Sequence, residues 1–450
     1  MRIASSKILL EGTPEPGWID VENGVIRTVG RGDPGPDARD FGDRLVTPAF
    51  VNAHTHVALI ALRGRVGSAL SGNVVEDLFY RIESQLTAAD VRAFARIGAW
   101  ESLLAGVGLI WDHYFFGAAL AEGIADTGLA AVVGPTLQDR SGPGAAQWEA
   151  QLQATFDLAA DSRPHISAAL APHATDTVSD ELWKRIAKEA EVSGLPVHLH
   201  LAQSPEEHAR AMERHGVSPW GMLEQLGVTE RIRGVFVHNL YVTRAELARV
   251  GREHTFVACP YAQLQFGFPA PVDEWERAGV AWTVATDCAA SNDSMSLRKE
   301  LRFVAGQRTV GARFDPAFEG FLAGSGDAAA VWRARSARYD AFPTDASSLL
   351  HRVWEQAGSL HPTLRAGVLA PGALANLVVW DTDHPAFWPS HDPLSTLAMG
   401  DVDGAVHAMF VAGNEVGVAG AFTQSIVQSD VYCAHRKEAN ERLARLMAAL

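Results

Sequence analysis

Cysteine is scarce and scattered: Cys259, Cys288 and Cys433 are the only three in 450 residues, and no C-x-x-C pair occurs. That excludes a disulfide framework and a closed thiolate zinc site. Long apolar runs are also missing. None approaches the ~18 residues of a membrane span, and Met1-Arg2-Ile3-Ala4-Ser5-Ser6-Lys7 lacks the apolar stretch of a secretory leader. The expected setting is cytoplasmic. Basic residues are in deficit, since 38 Lys and Arg against 53 Asp and Glu give a formal charge of −15 at pH 7. Such a surface repels phosphate backbones and anionic lipid, which points away from nucleic acid and membranes and toward a small neutral or cationic substrate. The H-x-E and P-C-x-x-C signature of the cytidine-deaminase type of zinc site is absent. So is any internal repeat of the solenoid or propeller kind.

What is present is core-forming material. Hydrophobic residues make up 47% and charged residues 20%, ordinary for a globular chain, and the length calls for a large domain plus something extra. Residues 1–46 hold short alternating segments, such as Gly17-Trp18-Ile19-Asp20-Val21, split by Gly/Pro/Asp-rich turns. Similar tracts return at Ala375–Asp381 and Ala405–Asn414, so 1–46 and 346–420 are expected to form one small β-sandwich. Between them, residues 47–345 alternate strand-length apolar runs with longer amphipathic stretches. That rhythm predicts an α/β fold, a (β/α)8 TIM barrel, with chemistry where the strands end. Residues 421–450 read as a terminal helix packing on the barrel or on a partner subunit.

The run from Leu45 to Val57 ends in two imidazoles, His54 and His56. On a strand, positions i and i+2 share a face, so the pair forms a claw for a divalent ion. Three further apolar runs close on ligand-type side chains: Leu199-His200-Leu201, Val237-His238-Asn239 and Ala285-Thr286-Asp287.

These segments, with Ala171-Pro172-His173, His198-Leu199-His200-Leu201-Ala202-Gln203 and Cys259-Pro260, resemble the amidohydrolase superfamily. The similarity is to its triazine hydrolase, chlorohydrolase and nucleobase/adenosine deaminase branch, which includes methylthioadenosine/S-adenosylhomocysteine deaminases, and it spans nearly the whole chain in the family's order. The resemblance implies one divalent ion held by His54, His56, His200 and Asp287, with zinc expected and iron(II) the alternative. It implies a metal-dependent aminohydrolase, in which water activated on the ion attacks a C–N bond of a nitrogen heterocycle and ammonia or an amine leaves. Asp287 then moves the proton and His238 orients the nucleophile. Homo-oligomers, dimers or larger, are implied as well.

By the same resemblance His173 and Glu83 contact the substrate, Ser291 lines the pocket, and His198 supports the ligands. Cys288 reads as a packing residue, and Asp112-His113 as a pair behind or beside the substrate. Gln203 is a departure: deaminases of this branch carry a glutamate there to protonate a ring nitrogen, and an amide cannot act as that acid. The substitution favours two alternatives within the family, hydrolysis of an amide or urea bond and hydrolysis of a carbon–halogen bond. A barrel that binds metal or ligand without turnover is the non-enzymatic alternative. The glycine-rich stretch from Arg63 to Asn73 reads as a lid, since it contains neither a GxxxxGK[ST] nor a GxGxxG pattern.

Overall fold

The computed structural model describes residues 1–65, 73, 75–307, 315–341 and 344–449. Residues 66–72 of the expected lid lie outside that set. Eight parallel strands carry the middle of the chain: β1 Phe50–Thr55, β2 Val107–Tyr114, β3 Ala130–Leu137, β4 in two pieces (Ile166–Ala168 and Ala171–Pro172), β5 Val197–Leu201, β6 Gly234–His238, β7 Thr255–Ala258 and β8 Ala281–Val284. Hydrogen bonds join β1 to β4 in one sheet and β5 to β8 in another. At one seam the His198 amide donates to the Leu170 carbonyl at 2.8 Å and the His200 amide to the His173 carbonyl at 3.0 Å. At the other, the Asp287 amide donates to the His54 carbonyl at 3.2 Å. The parallel sheet thus curls until its first and last strands meet.

Strands such as Val-His-Leu-His-Leu and Gly-Val-Phe-Val-His are buried along their whole length, because helices cover the outside of the curl and the opposite strands fill the inside. Local chemistry punctuates each unit. Thr87 and Asp90 form a capping box that starts the helix Ala88–Leu104, and Ser204 caps Pro205–His215 immediately after β5.

The chain ends build a second body. All eight of its strands join one mixed sheet, where two facing sheets were expected. The reason is Leu45–Pro48, which pairs parallel with Arg2–Leu10 on one edge and antiparallel with Leu377–Trp380 on the other, fusing the two ends of the chain. The sheet packs into an apolar core of its own around Ile3, Ile19, Leu377 and Phe410. Residues 346–356 pack instead on the parallel strands, with the Trp354 ring stacked on Phe50 at 5.8 Å. The helix Asp430–Ala449 lies on Ala88–Leu104 of the same chain, where Arg96 Nη1 donates to Glu438 Oε2 at 2.7 Å. No helix among the described residues is long and apolar enough to cross a membrane.

Asn52 is buried at the seam between β1 and β8. Its Nδ2 donates to Thr286 Oγ1 at 2.8 Å, and its Oδ1 accepts from the Thr286 amide at 3.1 Å. Asn52→Ala leaves that amide buried without a partner, which costs about 1–3 kcal/mol. Denaturant melts of the variant are expected to show a lower midpoint. An unchanged midpoint contradicts this account of the seam.

Candidate metal and substrate site

The curl brings His54 and His56 from β1, His200 from β5, His238 from β6 and Asp287 from just beyond β8 to one point. Ligand atoms of His54, His200 and His238 lie within 4.8 Å of one another, as do those of His54, His56 and Asp287. Asp287 Oδ1 stands 3.7 Å from both His54 Nε2 and His56 Nε2.

Each ligand ring is aimed by a bond on its far nitrogen. His56 Nδ1 donates to the His113 carbonyl, and His200 Nδ1 donates to the His173 carbonyl at 3.0 Å. His54 Nδ1 meets His198 Nε2 at 2.9 Å, so His198 sits behind the ligand it was expected to support. All three rings therefore present Nε2 to the centre, as metal coordination requires. His54 Nε2 is buried with no hydrogen-bond partner.

The electrostatics suit a cation. Burial pushes the His54 imidazole down to about 3, and burial with neighbouring imidazoles holds His200 well below its usual range, so both are neutral ligands. Asp287 is the opposite case. Burial alone raises its carboxyl, but the nearby His54 and the other surrounding imidazoles outweigh that and hold it below the usual carboxylate range. An ionised carboxylate among neutral imidazoles, with one buried nitrogen unsatisfied, fits a divalent metal.

The cluster forms the floor of a cavity of about 390 Å³. His173, Gln203 and Glu83, expected as substrate contacts, all line it, with His56, His200, His238 and Asp287 below. Ser291 is brought near but turned away. Its hydroxyl donates to the Cys288 carbonyl at 3.1 Å, so it does not line the cavity, and Cys288 occupies that part of the wall. The cause is the short helix Ala289–Asn292, which rotates Ser291 inward. Burial pushes the Cys288 thiol up, which fits a packing residue better than a nucleophile.

Asp112 and His113 part company. Asp112 Oδ2 accepts from Thr55 Oγ1 at 2.8 Å and from the Val57 amide at 2.7 Å, fixing the turn after β1, while His113 faces the cavity. Sequence reasoning missed Glu207. It is fully buried, accepting from Thr175 Oγ1 at 2.6 Å and from the Gln203 amide at 2.8 Å, and burial raises its carboxyl. Its position four residues after Gln203, on the inner face of a helix, was the available signal. Tyr114 was missed too; it follows His113 on β2 and lines the same wall.

Comparison with known proteins places this arrangement. A model described as the amidohydrolase family matches residues 45–319. The chain belongs to the amidohydrolase family. A 5-methylthioadenosine/S-adenosylhomocysteine deaminase of Natronomonas pharaonis is 30% identical over 437 residues, covering 95% of this amidohydrolase and 93% of the relative. Among solved structures, an adenosine deaminase from Xanthomonas campestris with bound zinc superposes with a TM-score of 0.81 at 24% identity, over 99% and 98% of the two chains. An atrazine chlorohydrolase from Arthrobacter aurescens complexed with zinc superposes at 0.77 and 19% identity, over 97% and 99%. The chain is accordingly a hydrolase of carbon–nitrogen bonds other than peptide bonds.

Burial raises the Glu83 carboxyl from its ordinary 4.5 to about 7, and the adjacent Tyr114 hydroxyl offsets only part of that. The folded state then holds this proton more tightly than the unfolded chain does. Its contribution to stability is full below the unfolded value and falls as pH rises toward the folded one, by up to about 3 kcal/mol. Glu83→Gln removes this slope, so unfolding measured from about pH 5 to about pH 8 should turn progressively in the variant's favour. Parallel curves for the two proteins contradict the assignment.

Proposed function

We propose that this amidohydrolase is a mononuclear metal-dependent deaminase, releasing ammonia or an amine from a C–N bond of a nitrogen heterocycle. The observation that carries the reading is the convergence of His54, His56, His200, His238 and Asp287 on one point at the floor of a cavity. His54, His56, His200 and Asp287 are the residues that would hold the ion, with zinc proposed because the zinc-bound structures share the fold. When bound, such an ion lowers the pKa of a coordinated water toward ~7 and so supplies a nucleophile at neutral pH.

The chain's own groups do the rest. Asp287 accepts a proton at the oxygen turned to the cavity and returns it to the departing nitrogen. His238, its ring stacked on His200 at 5.5 Å, borders the same space and hydrogen-bonds the oxygen as it adds to carbon. His173 and Gln203 flank the heterocycle; the Gln203 amide offers a hydrogen bond to a ring edge, not a proton, which leaves proton movement to Asp287. The relatives' names weigh against amide, urea and carbon–halogen hydrolysis and against a non-catalytic barrel, and they favour aminopurine nucleosides as the first substrates to try.

The catalytic unit in this proposal is a (β/α)8 barrel, residues 47–345 with 346–356 packed on it, joined to the terminal sheet. Assembly into a homo-oligomer is part of the proposal, supported by the exposed Phe321, Leu322 and Trp332. The free state of Cys259, Cys288 and Cys433 supports a cytoplasmic setting.

Ammonia release should be assayed over purines, purine nucleosides, pterins, pyrimidines and triazines. Asp287→Ala is expected to cost ~100- to 10,000-fold in turnover, and undiminished turnover would end the proposal. Chelation should abolish activity, and zinc should restore it with one equivalent bound by elemental analysis. Gln203→Glu tests the proton relay: a gain on ring substrates is expected, because the variant supplies an acid where the wild type has an amide.

A further inference from the structure

The walls of the cavity are of one sign. Besides Asp287, the carboxylates Glu76, Glu83, Asp176 and Glu206 line it, and no lysine or arginine side chain lines it among the described residues. One cation stands behind the wall: Arg210 Nη1 donates to Asp176 Oδ2 at 2.8 Å and also to Glu76. A single guanidinium shared by two carboxylates leaves that trio negative. Glu83 and Glu206 have no cationic partner among the described residues, and since burial favours the protonated form of Glu83, a cation brought beside it is what would draw that carboxyl into its ionised form. Like charges held in a partly enclosed, low-dielectric space act more strongly than they do in water, so this wall opposes any anionic substituent.

The same cavity expects a ligand on independent grounds. His113 lines it and is 1% exposed, yet neither of its ring nitrogens has a hydrogen-bond partner. Buried polar atoms are almost always satisfied, so a bound molecule with hydrogen-bonding groups is what completes this wall.

We propose that the substrate carries a positively charged nitrogen on the part remote from the reacting carbon, recognised by Glu83 and Glu206, and that substrates with an anionic substituent are rejected. This rests on the deaminase reading above and deepens it, since the charge of the distal wall selects among heterocycles that share one reactive ring. The two ends of the cavity then have separate tasks. The imidazoles and Asp287 handle the carbon undergoing attack, and the upper carboxylates fix the orientation of the whole molecule.

The test uses the zinc-loaded protein and one adenine nucleoside in three forms, carrying an ammonium, a hydroxyl or a carboxylate on its sugar. Binding is read by calorimetry and turnover by ammonia release. The expected order is ammonium over hydroxyl over carboxylate, with the outer pair separated by at least tenfold in Kd. Glu83→Gln and, independently, Glu206→Gln should each shrink the ammonium-to-carboxylate ratio severalfold, and added salt should shrink it further. Equal binding of the three forms, a preference for the carboxylate, binding by none of them, or ratios unmoved in both variants overturns the inference. Tight binding of the ammonium form without ammonia release supports the charge rule and defeats the deaminase reading instead.

Discussion

The structure depends on the first and last strands of the parallel sheet meeting edge to edge. His54 and His56 lie at the end of β1, and Asp287 lies just past the end of β8, more than two hundred residues later in the chain. What joins them is short and specific: the Asp287 amide on the His54 carbonyl, and the paired bonds between Asn52 and Thr286. If that seam opens, Oδ1 of Asp287 leaves the two imidazoles it faces, and three quarters of the ligand set loses its geometry. In the proposed metal site, stability at the seam and metal affinity are therefore one property, in which folding free energy is spent on bringing charged and polar ligands together before any ion arrives.

The backbone at these strand ends is also held in an unusual conformation. His238, Asn239 and Asp287, like Ala202 after β5, have positive φ values of 77°, 54°, 61° and 50°. The left-handed region is uncommon for residues with a Cβ, and each instance costs of order 1–3 kcal/mol when the surroundings do not favour it. Here it lets a strand stop abruptly and turn its last side chain over the floor of the cavity instead of continuing the pleat. The bonds from Gln263 Nε2 to the His238 carbonyl at 3.1 Å and from Cys288 N to Asp287 Oδ1 at 2.7 Å hold two of these ends in place. Preorganisation of this kind positions catalytic groups without a reorganisation cost during reaction.

Much of this was legible in the sequence for a physical reason. Parallel strands buried on both faces read as apolar runs, so a histidine or aspartate that closes such a run stands out, and His54, His56, His200, His238 and Asp287 all do. His173 and Gln203 were found through the family resemblance instead. Sequence reasoning failed where position depends on rotation within a short irregular element. Ser291 lies four residues from Asp287 yet faces away, because one turn of helix intervenes. Glu207 lies in the first turn of a helix, where acids are commonly exposed, and only the fold shows it buried and bonded to the Gln203 backbone. The terminal sheet was foreseen as strands but not as one sheet, because the edge pairings of Leu45–Pro48 span the length of the chain.

Glu207 holds Gln203 by its backbone. One carboxyl oxygen of the buried Glu207 accepts from the Gln203 backbone N–H and the other from the Thr175 hydroxyl, and Asp176 lies close by. The Gln203 side chain lines the cavity and offers it both a donor and an acceptor. In the proposed reaction the labour divides by charge. Acid–base work falls to Asp287, which the imidazoles keep ionised, while the other carboxyls of the cavity meet the part of the substrate that does not react.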